Sequence, residues 1–525
     1  MEITRRTFLR AGAAALIGAS MPAAFSSLAR AGQKKTVREF YFSASQAKVN
    51  LGAGPDFTAW TYNGRIPGPE IRVKEGEIIR VVLENFLPEG TTIHWHGIPI
   101  VNAMDGVPGV TQELVKPGET FVYEFEARPA GTYLYHSHAK YQLDQGLYGP
   151  LIIESPNPQE SYDREFSLVL EDWVMKDGGG AARTPRRPPM GRGMMGGRMG
   201  RGMMGGMLQR GMGAGFIGAP LLEPYYDGYA VNGRLYPAVA PLEVKKGDRV
   251  KLRLMNASSA TIYYLQLAGH VLTITHTDGN SIRPIETDVL RIGMGERYDV
   301  MFTANNPGYW LLAASEEGFG EGQLRLPLRY RGVVQKEPVM PDFQPGLRLA
   351  GYENFQALNP VATRQTDSPK FFEQFLSGGM HSPYWSINNQ LYPDAAPLMI
   401  RKGDRVRLGY WNRSMMPHPM HLHGHFFRVI NPALPPDLWI LKDTLIVDPM
   451  RRMDVEFIAE NPGNWFHHCH NLYHMEAGMA NVMVYQQSAE KTPSEASSLN
   501  SRPAAAEPHT GLSRYADRKT PQPLK

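Results

Sequence analysis

The sequence predicts an all-β chain of three β-sandwich domains, on three observations: an internal repeat, strand-like alternation throughout, and no long segment of 3.6-residue period. "IRVKEGEIIRVVLEN" (71–85), "LEVKKGDRVKLRLMN" (242–256) and "LMIRKGDRVRLGYWN" (398–412) share a turn at Gly76, Gly247 and Gly403, followed nine residues later by Asn85, Asn256 and Asn412. Each reads as two alternating strands joined by a charged turn. A second block recurs as "PAGTYLYHSH" (129–138), "NPGYWLLAAS" (306–315) and "NPGNWFHHCH" (461–470), where a Pro/Gly turn precedes an aromatic strand. The copies follow one another at about 155–170 residues. Domains are expected over 36–156, 162–335 and 345–487, and the Ser-, Pro- and Ala-rich tail 488–525 is expected to be disordered.

At 525 residues the chain is too long for a single core. Its formal net charge of +4 is small for that length, and no basic stretch is interleaved with aromatics, so nucleic acid is not an expected partner. Ahead of the first copy, Thr4-Arg5-Arg6-Thr7-Phe8-Leu9-Arg10 places two arginines before an Ala-rich apolar run, and Ala29-Arg30-Ala31 offers small residues for cleavage. Residues 1–31 read as a twin-arginine export signal, which implies a periplasmic location and the twin-arginine translocase as a partner during export. The alternative is a basic cytoplasmic end before a helix. The run is short for a membrane span and no other stretch of about eighteen apolar residues occurs, so no stable membrane insertion is expected.

Nine and eleven residues after the shared Asn, the first copy carries His94 and His96 and the third His421 and His423; the middle copy has Leu265 and Leu267. Five and seven residues after the glycine of the second block stand His136 and His138, then Ala313 and Ser315, then His468 and His470. His-X-His on a strand points both imidazoles to one face. Four such pairs at repeat-equivalent positions of the outer copies are expected to converge between two domains, whereas a lone pair is as readily surface decoration. The middle copy reads as a spacer.

Cys469 is the chain's one cysteine, so it forms no intrachain disulfide in the oxidising compartment the leader implies. It lies between His468 and His470 and points away from both, so its partners come from elsewhere. His474 and Met479 follow in the same loop, and His418 precedes the His421/His423 pair in "HPMHLHGH". A thiolate, two imidazoles and a weak thioether form the ligand set of a blue-copper site. Structural zinc needs fewer ligands, Ca²⁺ and Mg²⁺ want oxygen, and no nucleophile elbow or dinucleotide fingerprint occurs.

"HWHG" (94–97), "HSH" (136–138), "HPMHLHGH" (418–425) and "HCHNLYHMEAGM" (468–479) resemble, in order, the four copper-binding motifs of three-domain multicopper oxidases. The resemblance covers about residues 36–487. It implies cupredoxin-like Greek-key sandwiches and four copper ions: one type 1, one type 2 and two type 3. It assigns His418, Cys469, His474 and Met479 to type 1, and His94 and His421 to type 2. One type 3 ion falls to His96, His136 and His470, the other to His138, His423 and His468. His425 and His467 adjoin the motifs without a ligand role, as residues behind the ligands or on the surface. Electrons taken one at a time at Cys469 would pass through the backbone to His468 and His470, and four would reduce O₂ to two waters. Asp105 matches an acidic position that the resemblance places beside the cluster's water channel, as a proton source; a solvated loop acid is the alternative. Where bacterial relatives carry a glutamate directly after the second type 1 histidine, this chain has Met475, with Glu476 next as the candidate acid.

Within the segment 183–215, residues 190–212 hold eight methionines and four arginines among glycines. Such composition holds no core. It reads as a thioether-rich collector of Cu(I), or as a low-complexity linker whose arginines would repel a cation. Met415, Met416 and Met420 beside His418 add soft donors or simply pack. With the leader and "HMEAGM", these features are most like the CopA/PcoA copper-resistance branch of the family. The segment lacks that branch's Met/Asp/His repeats and falls between the first two domains rather than over the third. Three readings follow: an oxidase of Cu(I) in copper tolerance, a laccase-like oxidase of small organic reductants such as phenols and aromatic amines, and a non-enzymatic periplasmic copper-sequestering protein. The last leaves the full ligand set without a purpose.

Overall fold

The computed structural model describes residues 35–158, 160–175, 223–315, 322–344, 346–360, 369–379 and 384–486. The export-signal segment 1–31, the methionine-rich segment 183–215 and the tail 488–525 lie outside these. The chain forms three cupredoxin-like Greek-key β-sandwiches, each of two sheets. In the first, strands 57–62, 37–49, 78–85 and 120–126 form one sheet and 71–74, 148–154, 131–136 and 94–96 the other. The second has seven- and five-stranded sheets, the third six- and five-stranded ones. Among the described residues, no helix is long and apolar enough to cross a membrane.

The repeat has a physical basis. Gly76, Gly247 and Gly403 have φ of +88°, +95° and +89°, the left-handed region where a Cβ is costly. The shared asparagines are buried, and each ties the following loop to a neighbouring segment of its sandwich. Asn85 Nδ2 donates to the carbonyls of Glu89 (2.9 Å) and Val115 (2.7 Å). Asn256 does so to Thr261 (2.9 Å) and Ile292 (3.1 Å), and Asn412 to Met416 (2.7 Å) and Val447 (2.9 Å). These bonds set where the next strand begins, and in the outer copies that strand carries the first histidine pair.

Pairing of the two blocks is also shared. His94 faces His136 across strands 94–96 and 131–136, and His421 faces His468 across 418–422 and 464–469. The middle copy is one residue out of step, with Leu265 opposite Ala314 rather than Ala313. Its strands keep the frame of the repeat while leaving the cross-strand geometry of a ligand pair.

Candidate metal centre

Eight histidines from the first and third sandwiches meet in one buried cluster. Their rings stack across the boundary: His94 on His423 and His96 on His421, both with centroids 3.9 Å apart. Three sets of imidazole nitrogens lie within 4.8 Å of one another: His94, His96 and His421; His96, His136 and His470; His138, His423 and His468. A fourth set, His418, Cys469 and His474, meets the same limit.

In six of the eight rings one nitrogen is held from behind, which fixes the tautomer and leaves the other free. His94 Nδ1 donates to the Asp105 carbonyl (2.8 Å), His136 Nδ1 to Ser137 (2.9 Å), His421 Nδ1 to Asp443 (2.9 Å) and His468 Nδ1 to Cys469 (2.9 Å). His423 Nδ1 donates to Asp105 Oδ2 (2.9 Å). His96 is reversed, with Nε2 3.2 Å from both Asp443 Oδ1 and Thr444 Oγ1. Opposite these anchors, His94 Nε2, His96 Nδ1, His136 Nε2 and His421 Nε2 are buried without a hydrogen-bond partner, as are both nitrogens of the unanchored His470. Such orphans are costly unless a metal takes their lone pairs. Burial, aided by mutual repulsion, lowers the His136 pKa to about 3 and holds His96, His138, His423, His468 and His470 well below the usual imidazole range. They are therefore neutral, the ligating form. The donor set fits copper.

At the other set, Cys469 is fully buried and its Sγ lies 3.5 Å from His418 Nδ1 and 3.7 Å from His474 Nδ1. The two imidazole nitrogens are 3.1 Å apart. Local sequence makes the turn: Asn471 caps the short helix Leu472–Glu476, its Oδ1 accepting from Tyr473 N (3.0 Å) and His474 N (3.2 Å). The chain then returns, with Met479 N bonded to the His474 carbonyl (2.9 Å) and Cys469 N to the Met479 carbonyl (3.1 Å). Met479 is completely buried. Burial pushes the Cys469 thiol pKa up, so metal must displace its proton.

Multicopper oxidase sequence profiles match residues 43–158, 208–332 and 364–489. The chain belongs to the multicopper oxidase family. It is 36% identical to multicopper oxidase MmcO of Mycobacterium tuberculosis, over 84% of this chain and 85% of that one. It is 28% identical to copper resistance protein A of Escherichia coli, over 91% and 98% respectively. A crystal structure of a multi-copper oxidase from Pseudomonas thermotolerans superposes with a TM-score of 0.66 at 27% identity, covering 86% of this chain and all of the other. The oxidase thus takes copper as cofactor, O₂ as acceptor and a reduced substrate as donor.

Asp105 is fully buried, not a solvated loop acid, and sits between ligand-set rings: its Oδ1 is 3.2 Å from His94 Nδ1 while Oδ2 bonds His423. Gly106 makes this approach possible, since at φ +80° a Cβ there would lie 1.9 Å from the Ile93 carbonyl oxygen. Glu476 is solvent-exposed and lines a cavity of about 290 Å³ whose other walls include His138, Glu89, Lys140 and Met475.

Several residues at the centre carry no signal in the sequence. Asp443, at the bend between strands 441–442 and 444–447, meets His96 and His421. Ser414 Oγ is 2.8 Å from His418 Nε2, and Trp385 covers His474 with ring centroids 3.8 Å apart. Glu223 Oε1 lies 2.9 Å from His474 Nε2 and accepts from Asn471 Nδ2 at 2.6 Å. In sequence the methionine-rich segment 183–215 falls not between the first two sandwiches but within the second, because strand 164–173 before it pairs with 228–231 after it; Glu223 follows the segment.

His425 and His467 are buried, which rules out a surface location. His425 Nδ1 donates to the His423 carbonyl (3.0 Å) and Nε2 accepts from Tyr485 OH (2.6 Å). His467 uses Asn481 Oδ1 (2.8 Å) and Tyr410 OH (2.9 Å) likewise. Burial lowers both pKa values to about 4. A depressed histidine contributes stability that is present above its unfolded pKa near 6.5 and is lost as pH falls through the folded value. Thermal unfolding from pH 7 to 4 should therefore show a steeper loss for wild type than for His425→Gln, by roughly 1–3 kcal/mol across the window. Parallel curves would contradict the neutral assignment.

Proposed function

We propose that this oxidase couples one-electron oxidation of Cu(I) to the four-electron reduction of O₂ to water, as an exported copper-tolerance enzyme. Four coppers are assigned: type 1 on His418, Cys469, His474 and Met479; type 2 on His94 and His421; and type 3 ions on His96, His136 and His470 and on His138, His423 and His468. Copper so held supplies one-electron uptake at the thiolate and four-electron delivery to O₂. The protein's part is to join the sites: His468 and His470 flank Cys469 covalently, so one residue of backbone on each side links the thiolate to both type 3 histidine sets. Domain limits at 36–156, 162–335 and 345–487, twin-arginine export and a periplasmic location belong to the same reading.

The observation that carries the substrate assignment is Glu223 on His474. A carboxylate at the outer nitrogen of a type 1 ligand attracts a cation to the point where its electron can leave through the imidazole. It also favours the harder Cu(II) product over Cu(I), whereas methionine thioethers favour Cu(I). Methionines in residues 190–212 would gather the substrate, and Glu223, eleven residues beyond Met212, would receive it. The relative named for copper resistance supports the tolerance role.

For protons, Asp105 is assigned to the outer side of the ligand rings, behind His94 and His423. Glu476 is assigned to the cavity that reaches His138, in place of a glutamate directly after His474. The test is O₂ uptake by the copper-loaded protein with Cu(I) and with a bulky phenol side by side. Cu(I) should give the higher kcat/KM; a preference for the phenol would favour the laccase-like reading.

A further inference from the structure

The middle sandwich carries none of the ligand histidines, yet one of its turns abuts the cluster. Gly295 has φ +80°, and a Cβ there would lie 2.7 Å from His470 Cδ2 and 2.9 Å from His96 Cε1. Two residues on, the Arg297 side chain is wholly buried. Its Nη1 and Nη2 donate to Asp443 Oδ1 (2.7 Å) and Oδ2 (2.6 Å) as a parallel fork. Nε donates to the Thr132 carbonyl (3.1 Å), and Nη1 also to the Gly295 carbonyl (2.9 Å). Gly97, which ends the first histidine motif, leaves the space: a Cβ there would fall 2.2 Å from Arg297 Nη2 and 2.7 Å from Asp443 Oδ2.

Asp443 passes this restraint on. Its Oδ1 faces His96 Nε2 at 3.2 Å and accepts from Thr444 Oγ1 at 2.9 Å, while its carbonyl accepts from His421 Nδ1 at 2.9 Å. One aspartate therefore anchors two ligand-set rings, by opposite nitrogens. We propose that Arg297 is a positioning residue of the trinuclear centre, pinning Asp443 so that His96 presents Nδ1 and His421 presents Nε2 to copper. This rests on the copper assignment above.

A planar guanidinium fixes the plane of a carboxylate, which an ammonium does not. The setting makes that restraint necessary. Arg297 and Lys442 are buried against Asp278, Glu296 and Asp443. Without Arg297, three carboxylates face a single cation, and Asp443 loses the partner that holds Oδ1 toward His96. The His96 ring is then free to turn and offer Nε2 instead.

The experiment compares copper-loaded wild type, Arg297→Lys and Arg297→Met. It reads copper per chain, the type 2 electron paramagnetic resonance signal, thiolate-to-copper absorption, Tm, and copper retention against a chelator. Arg297→Met should keep the thiolate absorption while releasing copper from the histidine cluster 10- to 100-fold more readily. Arg297→Lys, which keeps the charge without the fork, should fold and fall between the two. Type 2 signals and retention equal to wild type in either variant would overturn the proposal. So would equal loss of thiolate absorption and type 2 signal, since that marks a fold defect. A wild-type protein without any type 2 signal would instead refute the copper assignment.

Discussion

Cys469→Ser should yield a protein that loads copper at the histidine cluster but stays colourless, with O₂ reduction lowered by at least about a thousandfold. The thiolate supplies both the intense charge-transfer absorption and the covalent route to His468 and His470. Serine keeps the shape and the backbone, but its hydroxyl replaces neither the soft bond nor the electronic coupling. Because Cys469 is fully buried and touches His418 and His474, a non-specific surface explanation for the loss is closed off. His136→Ala makes the complementary case: its ring belongs to the cluster alone, so colour should remain while O₂ reduction fails. Visible absorption and an oxygen electrode on the same two preparations check both halves. A blue Cys469→Ser protein would sink the type 1 assignment.

Glu223→Gln should lower kcat/KM for Cu(I) by about tenfold to a hundredfold, with little change for a small organic reductant, because only the cation needs the carboxylate. Each tenfold loss corresponds to about 1.4 kcal/mol of transition-state stabilisation. Glutamine retains the shape and an acceptor oxygen for Asn471, so the helix Leu472–Glu476 and its cap should stay in place. Changing the eight methionines of 190–212 to leucine tests collection apart from transfer, and should cost about tenfold for Cu(I) alone. Equal losses for both reductants would mean that these residues shape the site rather than recognise the metal.

The sequence contained most of the centre because a repeat converts spacing into geometry. A shared Asn nine residues after a turn glycine starts a strand at a fixed place, and period two then aims both members of a His-X-His pair. What it could not show are contacts made across the fold by residues of ordinary context. Arg297 and Asp443 are 146 positions apart, and Glu223 and His474 belong to different sandwiches. Asp105 was visible only through the resemblance; its burial between His94 and His423 follows from the turn at Gly106. The middle copy looked like a spacer because its ligand positions hold Leu265, Leu267, Ala313 and Ser315, and nothing local to Arg297 marks it as facing the cluster.

The most direct test of the central claim is the ratio of Cu(I) oxidised to O₂ consumed by the fully loaded protein, with peroxide measured in the same vessel. The account predicts four Cu(I) per O₂ and no peroxide, since water is the product of four electrons delivered to one buried cluster. Two Cu(I) per O₂ with matching peroxide, or no O₂ uptake with Cu(I) by a protein that rapidly oxidises phenols, would contradict it.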